Sequence, residues 1–201
     1  MPDLRNLFNS AAEATREGNH SQAIRVYEEI LDLAPPNSEA RHLAHWGIGD
    51  IHLNHQELSK AESHFLSAIE IKPDVADYHY LLGCCYTYAD RINDAIESLE
   101  KALEIKPESD VILGQLGWVI GHNVDVDKGI KFCKKSLSIN PMNSGSLRDL
   151  CMLFCKQTKF GEALVCIEEA ERHNQTDPLI AEVRAKVEFF RKQFDNIPRP
   201  E

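Results

Sequence analysis

Hydrophobic and polar positions along the chain follow the period of amphipathic helices. In each half of a recurring unit, apolar residues return at i, i+3, i+4 and i+7, whereas a half-buried strand would alternate every second residue. The same order of small and large residues then returns about every 34 positions. A repeat of this length is a supersecondary unit that buries its apolar face by stacking on its neighbours. The pattern therefore predicts an all-α stack of helix pairs.

Small residues and prolines set the register of this repeat. The small residues are spaced by 38, 34, 34 and 34 positions, and the prolines by 38, 34 and 34. Small side chains let two helices approach closely, and each proline ends a helix near the residue before it. The small residues are Ala23, Ala61, Ala95, Gly129 and Ala163, and the prolines are Pro35, Pro73, Pro107 and Pro141.

Short polar residues after each proline predict where the next helix begins. Their side chains accept hydrogen bonds from the free N–H groups of a first helical turn. The candidate caps are Asn37 and Ser38, Asp74, Ser109 and Asp110, and Asn143 and Ser144. Four additional residues around positions 35–41 are expected to lengthen the following helix or to loosen the joint before it.

These positions resemble those of the tetratricopeptide repeat, a helix–turn–helix unit of 34 residues. The segments at 67–73 and 101–107 are near-duplicate endings of the kind that this family shows. The resemblance covers roughly residues 4 to 175. It implies a right-handed α-solenoid of five repeats, at about 4–36, 42–75, 76–109, 110–143 and 144–177, within a single domain of residues 1–194.

The fifth copy departs from the pattern, because Gln175 stands where the proline belongs. Asp177 is a good N-cap and Pro178 suits a first helical position, so a further helix is predicted at 178–194. Its apolar side carries Leu179, Val183, Val187 and Phe190, and much of the rest carries Arg184, Lys186, Arg191 and Lys192. Solenoids need such a terminal element, so the helix is expected to be a cap. Residues 195–201 are expected to be a disordered tail.

Composition narrows the classes of protein. The net charge is −10, and no dense Lys/Arg cluster that could bind nucleic acid is visible. No stretch approaches the length of about 20 apolar residues that spans a bilayer, and no secretory signal opens the chain. The cysteines occupy helix-interior spacings, which favours a reducing, cytoplasmic location. They are Cys84, Cys85, Cys133, Cys151, Cys155 and Cys166.

The resemblance also implies where partners bind, since the first helix of each repeat lines the concave groove in this family. Carried over copy by copy, the predicted protein-binding positions are Phe8, Trp46, Tyr80, Tyr88, Trp118 and Met152. Aromatic anchors are typical of binding hot spots. The alternative is that these rings pack within or between repeats. Small residues nearby, which are Gly114, Gly121 and Gly145, are expected to widen the groove.

Charges along the predicted groove suggest the chemistry of a partner. Arg148 and Lys156, at one end of the predicted groove, are also predicted binding residues. Arg5 and Arg16 lie at the other end. Asp50 and Asp77 lie nearer the middle. A protein or peptide with an apolar centre and acidic flanks would complement this layout. The alternative is a scatter of solvated charges.

Catalytic motifs are absent from the sequence, which has no GxSxG, P-loop or HExxH and no GxGxxG after a strand. The sequence therefore predicts a non-catalytic interaction module, without cofactor or metal, that holds a peptide or helix of another protein. A structural protein that self-assembles through its groove or terminal repeats is the alternative. A metal- or redox-linked role of the cysteines and of His42, His45, His52 and His55 is a minor one. Hydrogen-bonded packing accounts better for His45 and His52, which replace core positions.

Overall fold

The computed structural model describes residues 3–173 and 177–195, and this part of the chain contains eleven α-helices and no strand. The all-α prediction is confirmed. The helices are α1 Leu4–Arg16, α2 His20–Leu33, α3 Glu39–Asn54, α4 Leu58–Ile71, α5 Ala76–Tyr88, α6 Ile92–Ile105, α7 Asp110–Asn123, α8 Val126–Ile139, α9 Ser144–Lys156, α10 Phe160–His173 and α11 Pro178–Asp195.

The helices form two compact units, which divide between Ile105 and Lys106. In the first unit, α1 packs on α2, α3 on α4, and α5 on α6, and the pairs meet through α2–α3 and α4–α5. In the second unit, α7 packs on α8 and α9 on α10, while α11 packs on both α9 and α10. Five helix pairs and a terminal helix are therefore present, as predicted. The single domain of residues 1–194 and the exact repeat limits stay predictions.

Glycines at the repeat positions allow the two helices of a pair to cross closely. A Cβ atom on Gly49 would lie 2.7 Å from the Phe65 ring, and one on Gly83 would lie 2.7 Å from Leu99 Cγ. Phe65 and Leu99 are fully buried. Because a bulky residue of the second helix fills the space left by a missing side chain, the two helices of each pair pack closely.

Capping of the helices agrees with the sequence at Ser109, Asn143 and Asp177. Ser38 is the N-cap of α3, but its side chain makes no capping hydrogen bond. Ser109 and Asn143 accept hydrogen bonds from N–H groups of α7 and α9, and Asp177 accepts one of 2.9 Å from Leu179 N at the start of α11. The prediction for Asp74 is wrong. Val75 is the N-cap of α5, and the Asp74 carboxylate instead lies 3.2 Å from Lys72 Nζ.

The additional residues between the first two repeats lengthen α3, which has 16 residues where α5 has 13. Arg41 in its first turn donates from Nη1 to the carbonyl oxygens of Leu31, at 2.6 Å, and of Ala34, at 3.4 Å. These carbonyls belong to the end of α2, so Arg41 ties the lengthened helix to the one before it. Of the two expectations for this joint, lengthening is confirmed.

Four of the five turns inside the repeats contain a residue with a left-handed backbone, which the pattern of apolar positions does not reveal. Gln56, Asp90 and Thr158 have φ values of 59°, 58° and 58°, and Gly18 has one of 75°. A positive φ is uncommon for residues with a side chain and is least favourable for a β-branched one such as Thr158.

The terminal helix α11 buries Ile180, Val183 and Val187 where it packs on α9 and α10. Phe190, which was predicted to lie on this apolar side, is exposed, and so are Phe189 and Phe194. The free side of α11 is therefore partly aromatic and not uniformly polar. Asp195 ends α11, and the remainder of the predicted tail, residues 196–201, lies outside the described residues.

Candidate protein-binding surfaces

On the first helix of each repeat, three positions spaced four residues apart lie on one side of the helix, each one turn after the previous one. We call these positions, taken over all repeats of a unit, the first-helix surface. In the first unit they are Phe8, Trp46 and Tyr80 on the first turn, Ala12, Asp50 and Cys84 on the next, and Arg16, Asn54 and Tyr88 on the last. In the second unit they are Gly114 and Arg148, then Trp118 and Met152, then His122 and Lys156.

Aromatic side chains of the first unit differ in how far they reach solvent. Trp46 is 37% exposed and Tyr88 is 71% exposed. Tyr80 is half-buried, and burial, followed by its neighbour Cys84, raises the pKa of its phenol. Phe8 packs edge-on against Tyr27, with ring centroids 6.2 Å apart, beside the apolar core of α1–α3. Three rings are thus available at the surface, whereas Phe8 serves mainly in packing.

Carboxylates accompany the rings of the first unit. Asp50 is half-buried and accepts a long hydrogen bond of 3.4 Å from Asn54 Nδ2. Burial raises the pKa of the Asp50 carboxyl, because the charged form loses water. Asp77 is exposed near the start of α5. On α3 and α5, this side of the unit therefore combines aromatic rings with carboxylates.

In the second unit, a stacked pair of rings lies beside a lysine. Trp118 stacks on His122, with ring centroids 5.1 Å apart and an interplanar angle of 29°. Lys156 Nζ donates a 2.9 Å hydrogen bond to the carbonyl oxygen of His122, 34 residues earlier. Arg148 pairs with the buried Asp149 at 2.9 Å, so its guanidinium is already engaged.

A groove of about 490 Å³ opens at the carboxyl ends of α7 and α9. Met152, Cys155 and Lys156 line one side of it, and α11 supplies Phe190 and Phe194 to the other. His122, Thr158, Phe160 and Gln193 complete the lining. Phe160 and Phe194 contact each other, with ring centroids 5.7 Å apart. The walls are mainly apolar and one ammonium group stands at the edge, which suits an apolar side chain followed by an acidic group.

The structure brings together two of the predicted binding residues, Met152 and Lys156, in one groove, with Trp118 adjacent through His122. Phe8, Trp46, Tyr80 and Tyr88 belong to the first unit. Three aromatic residues of the groove, Phe160, Phe190 and Phe194, were not predicted as binding residues. They lie on α10 and α11, outside the first helices that the resemblance selects, so no repeat position indicated them.

The glycines expected to widen the groove do not do so. Gly114 and Gly121 are buried, and a Cβ on either would lie 2.2 Å from Ser146 Oγ or 2.5 Å from Leu153 Cδ1. They instead allow neighbouring helices to pack closely. The prediction is wrong for these two residues because a first helix also faces the next repeat, and small residues there serve the contact between repeats.

Histidines of the first unit connect neighbouring helices. His42 Nδ1 lies 2.7 Å from Tyr78 Oη, and His45 Nδ1 lies 3.1 Å from His64 Nδ1. His52 Nδ1 lies 2.5 Å from a Glu57 carboxylate oxygen. Among residues 3–173 and 177–195, no group of three or more His, Cys, Asp and Glu side chains is arranged to hold a metal ion. The contacts support hydrogen-bonded packing for His45 and His52.

Cysteines occupy apolar surroundings. Cys133 and Cys151 are buried, and burial raises the pKa of the Cys133 thiol to about 12. Cys155, which lines the groove, has its pKa raised to about 11 for the same reason. A raised pKa leaves little reactive thiolate near neutral pH, so the structure gives no support to a redox role.

None of the described helices combines the length and the apolar character that crossing a bilayer requires.

Comparison with known proteins agrees with this architecture. Two tetratricopeptide repeat families match, one over residues 14–83 and one over residues 76–109. Residues 14–109 therefore carry tetratricopeptide repeats, as the 34-residue period and the helix pairs indicate. It is 25% identical over 154 residues to the protein O-mannosyl-transferase Tmtc3 of Drosophila melanogaster, a match that covers 75% of this chain and 16% of that protein. The chain thus spans only a small part of this relative's length.

Solved structures share the fold. MamA superimposes with a TM-score of 0.70 at 17% identity, covering 98% of each chain. YrrB superimposes with a TM-score of 0.68 at 16% identity, covering 91% of this chain and 92% of its own, and is described as a tetratricopeptide repeat protein with an unusual peptide-binding site. At these identities the similarity shows the fold alone.

Proposed function

We propose that this protein is a non-catalytic interaction module that holds a peptide or helix of another protein on its first-helix surfaces. The observation that carries the proposal is the groove of the second unit, where Met152, Phe190 and Phe194 leave apolar surface open to solvent. Surface of this kind marks interaction sites. The peptide-binding site of YrrB, which has the same fold, adds support by analogy.

The groove defines part of the partner's chemistry. An apolar or aromatic side chain would fill the space between Met152 and Phe190, and an acidic group would lie near the ammonium of Lys156. This fits one of the acidic flanks suggested by the sequence. A reducing, cytoplasmic location belongs to the same proposal and is supported by the cysteines, which are all free thiols.

The test is selection of a random displayed peptide library on the full chain, followed by calorimetry of the selected peptides. Met152→Ala and Phe190→Ala should each weaken binding by about 5- to 30-fold, as loss of an apolar anchor does. Val165→Ala, which trims an exposed apolar residue on α10, is the matched control and should leave affinity unchanged. Failure to enrich any peptide, or equal effects of all three variants, would contradict the proposal.

Self-assembly is the second candidate function, and the aromatic free side of α11 favours it. Phe189 is 57% exposed and does not line the groove, whereas Phe190 and Phe194 are 43% exposed. Light scattering over a concentration series tests this candidate. A mass that rises with concentration in the wild type but not in Phe189→Ser would support it, and a monomer throughout would dismiss it.

A further inference from the structure

The first-helix surface of the first unit combines aromatic rings with carboxylates. Trp46 and Asp50 are one helical turn apart on α3, so they lie on the same side of that helix. On α5, Tyr80 and Tyr88 are two turns apart, and Asp77 precedes Tyr80 by one turn. The two helices are in contact with each other. We call these five residues the acidic aromatic face.

The carboxylates of this face lack cationic partners. Among the described residues, no lysine, arginine or histidine nitrogen forms an ion pair with Asp50 or Asp77. Asp50 is half-buried, and among the described residues its side chain accepts a hydrogen bond only from Asn54, which is long. A partly desolvated carboxylate is stabilised by a positive charge brought to it. The face therefore favours a cationic ligand group.

The net negative charge of the first unit also favours a cationic partner. Residues 1–105 contain 8 Lys/Arg and 18 Asp/Glu, whereas residues 106–201 contain 14 of each, so the net charge of −10 arises in the first unit. Most of its cations are already engaged. Lys60, Lys72, Arg91 and Lys101 pair with neighbouring acids, and Arg41 donates to backbone carbonyls. A negative field attracts basic partners and speeds their encounter.

We propose that the acidic aromatic face binds a segment of another protein through a lysine or arginine side chain, which lies over the Trp46 ring and pairs with the Asp50 carboxylate. Tryptophan is the best aromatic partner for such a cation, and the ring and the carboxylate stand one turn apart, within reach of one long side chain. This inference rests on the proposed function, and it specifies a basic group where the sequence suggested an apolar centre.

The first experiment uses the full chain with Trp118→Phe, so that Trp46 is its only tryptophan. Two synthetic peptides of about twelve residues are titrated, which share a Leu/Gly framework and carry either three arginines or three glutamates. The arginine peptide should change Trp46 fluorescence saturably, and about 0.5 M salt should weaken the effect several-fold. The glutamate peptide should have no effect. Equal responses to the two peptides, or no response to either, would overturn the proposal.

The second experiment separates this face from net charge. Asp50→Asn and Asp32→Asn each remove one negative charge, but Asp32 is exposed on α2, away from the first helices. Calorimetry with the arginine peptide should show a loss of at least about 5-fold for Asp50→Asn and of less than 2-fold for Asp32→Asn. Trp46→Ala should weaken binding by about 10-fold. Thermal melts establish that each variant is folded. Equal losses of affinity in the two Asp→Asn variants would show that only the net charge matters, and would overturn the proposal.

The outcomes also distinguish this inference from the proposed function. If library-selected peptides depend on Met152 and Phe190 but the arginine peptide shows no binding that depends on Asp50, the proposed function stands and the inference is wrong. Loss of arginine-peptide binding in Met152→Ala, with Asp50→Asn unaffected, would assign the cation to the second unit and overturn it. A dimer in the absence of peptide that Asp50→Asn dissociates would assign the face to a second copy, with the same consequence.

Discussion

Gly129 and Gly121 bring the backbones of α8 and α7 into direct contact. A Cβ atom on Gly129 would lie 2.3 Å from the Cα of Gly121 and 2.7 Å from the carbonyl oxygen of Gly117. These neighbours are backbone atoms, which cannot rotate away as a side chain can. We therefore expect Gly129→Ala to lower the free energy of unfolding by about 2–3 kcal/mol, measured by urea denaturation.

Gly161→Ala is the matched control for this prediction. Gly161 lies in α10, and a Cβ there would meet nothing within 4 Å. Alanine should be neutral or stabilising by up to about 0.5 kcal/mol, because it restricts the unfolded chain. Similar losses in both variants would show that the effect does not come from the close crossing of α7 and α8.

The crossing of α7 and α8 shows which features of the fold the sequence repeat predicts and which it does not. The sequence aligns Gly129 with Ala61 and Ala95 and correctly places all three where two helices cross. It does not reveal that one pair approaches too closely for even a methyl group, because that distance depends on glycines of the partner helix. Helix pairs and their order could be predicted from spacing, whereas the distance between helices depends on side chains that meet only in the fold.

Surface placement of the tryptophans predicts small effects of truncation on stability. Trp46→Ala should cost about 1 kcal/mol or less, and Trp118→Ala, whose ring is half-buried against His122, about 1–2 kcal/mol. Circular dichroism should remain helical for both. Chemical denaturation of each variant gives the measurement.

Phe65→Ala provides the contrast for the tryptophan variants. Phe65 is fully buried where α3 crosses α4, so truncation leaves a cavity and should cost about 3–5 kcal/mol. If Trp46→Ala proved as destabilising as Phe65→Ala, the ring would belong to the core, and the acidic aromatic face would have to be abandoned.

The candidate site was only partly predictable. The 34-residue spacing and the family resemblance identify Trp46, Trp118 and Met152 as candidate binding residues, because each occupies a first-helix position. They do not identify the aromatic wall that Phe190 and Phe194 contribute, since α11 has no repeat partner from which to infer its orientation. Whether Phe8 is free or packed also depends on a contact with Tyr27 in the next helix, which the spacing of either helix alone does not contain.

Acid should weaken the first unit through its paired imidazoles. Burial, then the proximity of His64 and Arg41, lowers the pKa of His45 to about 4, and burial lowers that of His64. Since these pKa values are lower in the folded than in the unfolded chain, the unfolded chain binds more protons. The stabilising contribution is complete above the unfolded value of about 6.5 and is lost as the pH falls towards about 4. Urea midpoints at pH 7.5 and pH 5 should therefore differ measurably.

A His64→Gln variant should show a smaller difference between the two pH values, because the 3.1 Å contact between ring nitrogens is gone. His79→Gln is the control, since the His79 ring is hydrogen-bonded to the backbone carbonyl of Pro73 and has no imidazole neighbour among the described contacts. An identical pH dependence in the wild type and both variants would rule out the His45–His64 pair as the cause.

Thr158 is expected to limit the stability of the second unit. Its φ of 58° is unfavourable for a β-branched residue, and the left-handed region costs about 1–2 kcal/mol where a Cβ is present. Thr158→Gly should therefore raise the free energy of unfolding by about 1 kcal/mol. Asp90→Gly, at the equivalent turn of the first unit, should gain less, because aspartate tolerates this conformation better. Denaturation of both variants in parallel measures the difference. A loss of stability in Thr158→Gly would mean that the contacts of Thr158 in the groove outweigh the strain of its backbone.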